Sequence, residues 1–162
     1  MIKIDLNNYF GDFMKKKIML VLIGLCITAT AGFVCAEEIN IAHGIFNVPE
    51  GFTNDTTITE EDVFLFISPD IRENSIGRPE MAAFSKGDDV FIVMCYQANN
   101  LNFELTQYPS DTPATIGEYD GYIDTDTVKG HNNATAFKYV YHSKIYIIIA
   151  PDQSMIEDAI KQ

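Results

Sequence analysis

The sequence predicts an α+β fold, in which a mostly antiparallel sheet of about six strands has a C-terminal helix packed on one face. Short runs of β-branched and aromatic residues recur between turn residues, which is typical of antiparallel strands. Two of these runs, residues 90–96 and 145–150, are almost wholly apolar and predict the two best-buried strands. Residues 90–96 are expected to form a central strand covered on both faces. Residues 154–161 have helical spacing instead. Helix and sheet are expected to form one domain over residues 37–162.

The beginning of this domain is predicted as a strand followed by an ambiguous segment. Residues 39–41 and 44–48 are interpreted as an opening strand that ends at a Pro-x-Gly turn. Thr59 and Asp62 have the spacing of a helix cap. Residues 63–67 are nevertheless β-branched and aromatic, so a buried strand is favoured there over a helix.

The middle of the domain is predicted as a loop, a hairpin and two shorter strand segments. Residues 68–79 have the composition of a loop, and residues 81–84 are expected to form a hairpin with residues 90–96. Residues 101–105 alternate between apolar and polar, as in a half-buried strand. Residues 115–123 contain a glycine turn and predict a tight strand–turn–strand unit.

The C-terminal third carries the clearest pattern. Residues 136–141 and 145–150 flank a short polar segment, which predicts a hairpin. The helix that follows has an apolar side formed by Ile156, Ala159 and Ile160. This side should face the sheet, because a helix of about two turns is not stable alone in water.

The first 36 residues have the three parts of a secretory signal peptide. Three consecutive lysines at residues 15–17 precede an apolar core at residues 18–27, and small residues follow up to Ala36. We expect cleavage after Ala36, where the chain turns acidic. The mature domain would then work outside the cytoplasm, secreted or at the cell surface.

Other interpretations of this segment stay open. Cleavage after Ala31 also fits the peptidase, and residues 18–36 are long enough for an uncleaved membrane anchor. Met14 offers a second start, which would make residues 1–13 a mis-chosen beginning. A lipid anchor on Cys35 is disfavoured, because a valine rather than a small residue precedes that cysteine.

Charge excludes two classes of partner. Residues 37–162 contain 7 basic and 21 acidic side chains, a net charge of −14. Nucleic acids and anionic membranes repel such a surface. We therefore expect no nucleic-acid partner, and contact with a membrane only through the N-terminal segment if it is uncleaved.

The sequence lacks the usual signatures of catalysis and of metal binding. A nucleophile elbow and a phosphate-binding glycine loop are both missing. Residues from Asp124 onward do not match a calcium-binding loop, because Val128 stands at the fifth position, where an oxygen ligand is needed, and Lys129 at the sixth, where glycine is needed. Zinc needs closely spaced His or Cys, whereas the three histidines stand singly, at His43, His131 and His142. We predict no catalytic, cofactor-binding or metal-binding residue, and Cys95 is expected to be a buried small hydrophobe.

Tyrosines and two glycosylation sequons are the remaining features. Tyrosines on an exposed sheet face stack on sugars or peptides, although pairing across strands inside the sheet is the plainer interpretation. Asn54 and Asn133 begin Asn-x-Thr sequons and are candidate glycosylation sites in an exported protein. The tyrosines in question are Tyr96, Tyr108, Tyr119, Tyr122, Tyr139, Tyr141 and Tyr146.

Several motifs resemble those of a known class of proteins. Residues 46–52 (Phe-Asn-Val-Pro-Glu-Gly-Phe), residues 116–122 and the closing segment 137–160 resemble small exported proteins of unknown function that are common in methanogenic archaea. The order of strand, Pro-x-Gly-aromatic turn, hairpins and closing helix is similar to PsbP/Mog1-like α/β domains. The resemblance covers most of residues 44–161. It implies a fold and an exported location, and no functional residue.

Two functions are compatible with these observations. Export, acidity, tyrosine richness and the missing catalytic set favour a non-enzymatic binding or accessory domain, with an unknown protein or cell-surface ligand as its partner. The alternative is an extracytoplasmic hydrolase-type enzyme that uses acidic residues. Its candidate residues are Glu118, Asp120 and Asp124.

Overall fold

The computed structural model of the protein describes residues 37–160. The expected signal peptide, its cleavage site and the second start at Met14 lie outside the described residues. Within 37–160 no helix is long and apolar enough to cross a membrane. The strands are β1 (Glu38–Ile41), β2 (Gly44–Asn47), β3 (Thr53–Asn54), β4 (Ser75–Lys86), β5 (Asp89–Ala98), β6 (Thr112–Ile116), β7 (Tyr119–Thr127), β8 (Asn133–Tyr141) and β9 (Lys144–Ala150). The helices are a 3₁₀ helix (Glu60–Phe66), α1 (Pro69–Asn74) and α2 (Gln153–Ile160).

The main sheet has seven strands in the order β3-β4-β5-β9-β8-β7-β6. Every pairing in it is antiparallel. β5 and β9 are neighbours, with Val93 opposite Ile148 and Cys95 opposite Tyr146. The structure therefore confirms the α+β class and the mostly antiparallel sheet.

Both faces of the main sheet are covered, each by a different layer. One face packs on the β1–β2 hairpin and on α2, through buried residues such as Phe46 and Ile156. The opposite face packs on the 3₁₀ helix and α1, through Val63, Phe66 and Ile71. Alternate residues of each central strand contribute to the two cores, as the pleat of a strand requires.

The predicted central strands and closing helix are confirmed. Residues 90–96 and 145–150 are buried throughout, because each strand is enclosed by neighbours and by both layers. The hairpins 81–84/90–96 and 136–141/145–150 are present as β4–β5 and β8–β9. Helix α2 buries Ile156 and Ala159 against β2, β8 and β9.

The segment at residues 63–67 was wrongly predicted as a strand. Residues 63–66 belong to the 3₁₀ helix, which begins directly after Thr59, and Ile67 is the C-cap residue. The Asp62 carboxylate accepts hydrogen bonds from the Thr59 backbone N–H (2.9 Å) and hydroxyl (2.7 Å). This cap starts a helical turn, and Val63 and Phe66 are then buried while Phe64 is exposed.

Three other local predictions were also wrong. Residues 68–79 were predicted as a loop, but they form helix α1 and the beginning of β4. The pairing register of β4 with β5 shifts between Ile76 and Glu80, so the sequence there lacks the regular alternation of a strand. Residues 101–105 form no strand; a turn closed by the Asn100 side chain begins an irregular segment instead. The opening strand is a separate hairpin, β1–β2.

Candidate functional site

The structure has an open groove with a volume of about 990 Å³. It lies on the sheet face that also packs on the β1–β2 hairpin and α2. Three turns surround it: the β1–β2 turn at Ala42 and His43, the β6–β7 turn at Gly117 and Glu118, and the β8–β9 turn. We call it the tyrosine groove, because its lining includes Tyr119, Tyr139, Tyr141 and Tyr146.

The four tyrosine rings form one continuous set across β7, β8 and β9. Tyr139 stacks on Tyr146 at 5.1 Å between ring centroids and on Tyr119 at 4.6 Å. Tyr141 meets Tyr119 edge to face at 5.3 Å. Tyr139 and Tyr146 are buried, Tyr119 is half-buried and Tyr141 is 43% exposed. The set therefore runs from the core to the solvent, and its outer end is free for contact.

Two of the turns at the groove have unusual backbone conformations. Ala42 and His43 have φ of 50° and 72°, and His142 and Ser143 have φ of 49° and 61°. Two-residue hairpin turns of this kind favour Asn and Gly, because other residues are strained at positive φ. Neither turn of this protein contains Asn or Gly. Strained backbone conformations of this kind are found more often at functional sites, where a particular side chain is needed even though it makes the backbone conformation less favourable.

The β1–β2 turn is fastened to the floor of the groove. The Ala42 carbonyl accepts hydrogen bonds from the Lys144 ammonium and from the Tyr146 hydroxyl, the latter at 3.1 Å. The His43 N–H is in turn held by the Asn40 side chain at 3.1 Å. These hydrogen bonds fix the position of the hairpin over the sheet, so the shape of the groove is set by contacts within the protein.

Burial makes the tyrosine hydroxyls at the floor of the groove harder to ionise. Burial raises the pKa of Tyr139 and of Tyr146 well above the ordinary tyrosine value. Burial also raises the pKa of the neighbouring Cys95 thiol to about 11. Cys95 is thus buried and protonated at neutral pH, as the sequence predicts, and the floor carries no negative charge.

The structure divides the predicted tyrosines between the groove and other places. Tyr119, Tyr139, Tyr141 and Tyr146 line the groove. Tyr96 lies in the opposite core and donates to Glu60 at 2.6 Å, and Tyr108 accepts from the Asp70 N–H at 3.3 Å. Tyr122 lines a separate cavity of about 680 Å³. The groove tyrosines therefore pair across strands within the sheet, and they also form a cluster that reaches the surface at Tyr141.

The three candidate carboxylates of the enzyme hypothesis lie in three different cavities. Glu118 lines the tyrosine groove. Asp120 lines the 680 Å³ cavity and accepts a hydrogen bond from the Thr115 hydroxyl at 2.6 Å. Asp124 lines a third cavity of about 210 Å³ and lies 3.7 Å from the Lys138 ammonium. None of these three cavities holds two of the candidate carboxylates.

The structure brings together two residues that the sequence left apart, His43 and His142, which both line the groove. The sequence predicted the turn at His142, between residues 136–141 and 145–150, but it gave no signal for the turn at His43, which lies within the predicted opening strand. His131 lies in the β7–β8 connection at the other end of β8. No group of His, Cys, Asp or Glu among the described residues has the arrangement of a metal site. The sequon residues Asn54 and Asn133 are both exposed.

Comparison of the chain with protein-family models, with curated proteins and with solved structures finds no match in any of the three.

Proposed function

We propose that this protein is a non-enzymatic binding domain that works outside the cytoplasm, and that the tyrosine groove is its binding site. The observation that carries the proposal is the groove itself, about 990 Å³ in volume and lined by four tyrosines in mutual contact. Ligand sites are commonly concave, rich in aromatic side chains and about 300–1,000 Å³ in volume. The extracytoplasmic location is proposed from the signal-peptide pattern of residues 1–36.

Independent features of the chain converge on the same place. The exposed Tyr141, the histidines at positions 43 and 142 and the strained turns all border this groove. Aromatic and histidine side chains presented on rigid hairpins have their conformations restricted before binding. A pre-organised surface of this kind costs less entropy on binding than a flexible loop does.

The alternative, a hydrolase-type enzyme, finds no support in the arrangement of its three candidate carboxylates. Glycoside hydrolysis, for example, needs two carboxyl groups about 5–10 Å apart on either side of one bond. Glu118, Asp120 and Asp124 each line a different cavity. A binding function therefore agrees better with the geometry.

Retention of cell-envelope material tests the proposal. The purified protein, immobilised, is incubated with the solubilised envelope fraction of its source organism, and the retained material is quantified. We expect Tyr141→Ala and Tyr119→Ala to lose most of the retention. Tyr122→Ala is the matched control, because Tyr122 lies on the same strand as Tyr119 but lines another cavity.

Equal retention by wild type, Tyr141→Ala and Tyr119→Ala would contradict the proposal, and so would no retention by wild type.

A second measurement uses intrinsic fluorescence. The chain has eight tyrosines and no tryptophan, so groove tyrosines contribute directly to its emission. Titration with the eluted material should change tyrosine emission in the wild type and in Tyr122→Ala.

A further inference from the structure

We propose that the ligand of the tyrosine groove is an uncharged saccharide chain, that is, a neutral glycan of the cell envelope. This inference rests on the proposed binding function and names the class of ligand. It follows from the exposed aromatic ring, from the charges in and around the groove, and from the kinds of hydrogen-bonding groups at its rim.

The outer end of the tyrosine set has the properties of a stacking platform. The Tyr141 ring is 43% exposed, and its position is fixed by His142 at 4.1 Å and Tyr119 at 5.3 Å between ring centroids. A ring held on two sides presents apolar surface at little conformational cost. The C–H face of a pyranose is a flat apolar surface of matching size, with its hydroxyl groups directed outward.

Charge favours a neutral ligand over an ionic one. Residues 37–162 carry a net charge of −14, so the domain as a whole repels anions. Cations are attracted at long range but would meet the Lys144 ammonium within the groove. Among the described residues that line the groove, Lys144 and Glu118 balance one another. A neutral saccharide is repelled neither by the acidic domain, as an anion would be, nor by Lys144, as a cation would be.

The groove rim offers both hydrogen-bond donors and hydrogen-bond acceptors. Glu118 supplies a carboxylate, and burial together with that carboxylate raises the pKa of Tyr119, which keeps the phenol protonated. His43 and His142 each carry two ring nitrogens, one a donor and one an acceptor in the neutral imidazole. Sugar hydroxyls both donate and accept, so they match a mixed rim better than a purely anionic or cationic group does.

A glycan array tests the inference. The purified protein is applied to immobilised neutral tri- and tetrasaccharides of glucose, galactose, mannose and N-acetylglucosamine. Matched charged chains of uronic acids, sulfated sugars and free glucosamine are included. We expect binding to members of the neutral set. Tyr141→Ala removes one stacking contact between the ring and a sugar, and we expect the dissociation constant to rise about tenfold, which corresponds to about 1.4 kcal/mol of binding free energy. Tyr122→Ala should bind like the wild type.

The two proposals fail in different ways. Binding only to charged chains, or tenfold weaker binding by Tyr122→Ala but not by Tyr141→Ala, would overturn the saccharide inference. Envelope material that is still retained in a Tyr141-dependent way after periodate oxidation, but not after protease treatment, would identify a peptide ligand instead. In that case the proposed binding function stands and the saccharide inference falls. No retention and no array binding would overturn both.

Discussion

The Lys138 ammonium lies 2.7 Å from the Asp111 carboxylate, and both side chains are almost completely buried. Asp111 also accepts a hydrogen bond from the Tyr108 N–H at 3.0 Å. The Asp124 carboxylate lies 3.7 Å from the same ammonium. This arrangement fastens the end of the irregular connection between β5 and β6 to strand β8, on the sheet face opposite the tyrosine groove.

Breaking this ion pair should destabilise the domain strongly. Lys138→Met leaves the Asp111 charge buried without its partner, which costs about 3–5 kcal/mol. Lys129→Met is the matched control, because the Lys129–Asp62 pair is exposed at the lysine and is worth about 1 kcal/mol or less. Urea denaturation measures both. A Lys138→Met midpoint equal to that of Lys129→Met would show that the buried pair does not hold the connection.

High pH should unfold the domain through its buried acids. Burial raises the pKa of Cys95 from its ordinary 9.0 to about 11, and it raises those of Tyr139 and Tyr146. Below pH 9 these groups are protonated in both states and stability is complete. Above that pH the unfolded chain loses protons that the folded chain keeps, so stability falls by at most about 1.4 kcal/mol per pH unit for each group.

The measurement is the urea midpoint between pH 7 and pH 11. Tyr139→Phe should show a shallower decline than the wild type, because it removes one titrating hydroxyl. A midpoint that rises with pH over this range would contradict the sign of these shifts.

Relieving the strain of the β8–β9 turn should stabilise the protein. Ser143 has a φ of 61°, which glycine adopts without the cost of about 1–2 kcal/mol that other residues incur. Ser143→Gly should therefore raise the thermal midpoint. The same change at Ser154, in helix α2, should lower it, since glycine destabilises a helix by up to about 1 kcal/mol. Equal effects at the two sites would mean that the turn is not strained.

Helix α2 should be required for stability of the domain. Ile156 is completely buried against the sheet, and Ile156→Ala should cost about 2–5 kcal/mol. Gln153→Ala, on the exposed side of the same helix, should change stability by less than about 0.5 kcal/mol. Truncation after Asp152 should lower the urea midpoint further than Ile156→Ala. A truncated protein with the wild-type midpoint would contradict the role of the helix as a core layer.

In a glycosylating source, Asn54 should be modified more fully than Asn133. Both side chains are exposed, but the Asn133 side-chain oxygen accepts a hydrogen bond from the Thr127 hydroxyl at 2.7 Å. Asn54 lies on a two-residue edge strand instead. Peptide mass spectrometry of exported protein measures both occupancies, with Asn54→Gln and Asn133→Gln as controls. Higher occupancy at Asn133 would show that this hydrogen bond does not restrict the site.

The parts of the fold that were correctly predicted are those whose pattern is set by burial alone. Residues 90–96 and 145–150 are apolar at every position because both faces of the sheet are covered. Residues 63–67 were misjudged because β-branched and aromatic composition was given more weight than the cap formed by Thr59 and Asp62. Spacing, with Val63 and Phe66 buried three residues apart, indicates the helix correctly.

The candidate site was only half predictable. Tyrosine density drew attention to an aromatic surface, and four of those tyrosines line the groove. The contribution of His43 could not be predicted, because the β1–β2 hairpin was interpreted as one strand of the sheet. Its placement over Tyr146 depends on a long-range hydrogen bond to the Ala42 carbonyl, which no local pattern encodes.

The strand order has a consequence for how the chain acquires its structure during synthesis. Among the described strands β9 is the last along the chain, yet it is the central strand of the seven-stranded sheet. Until residues 144–150 have emerged, β5 lacks one neighbour and β8 lacks another, so neither core can close. The main sheet therefore stays incomplete until residues 144–150 are available, and its assembly depends on contacts between distant segments.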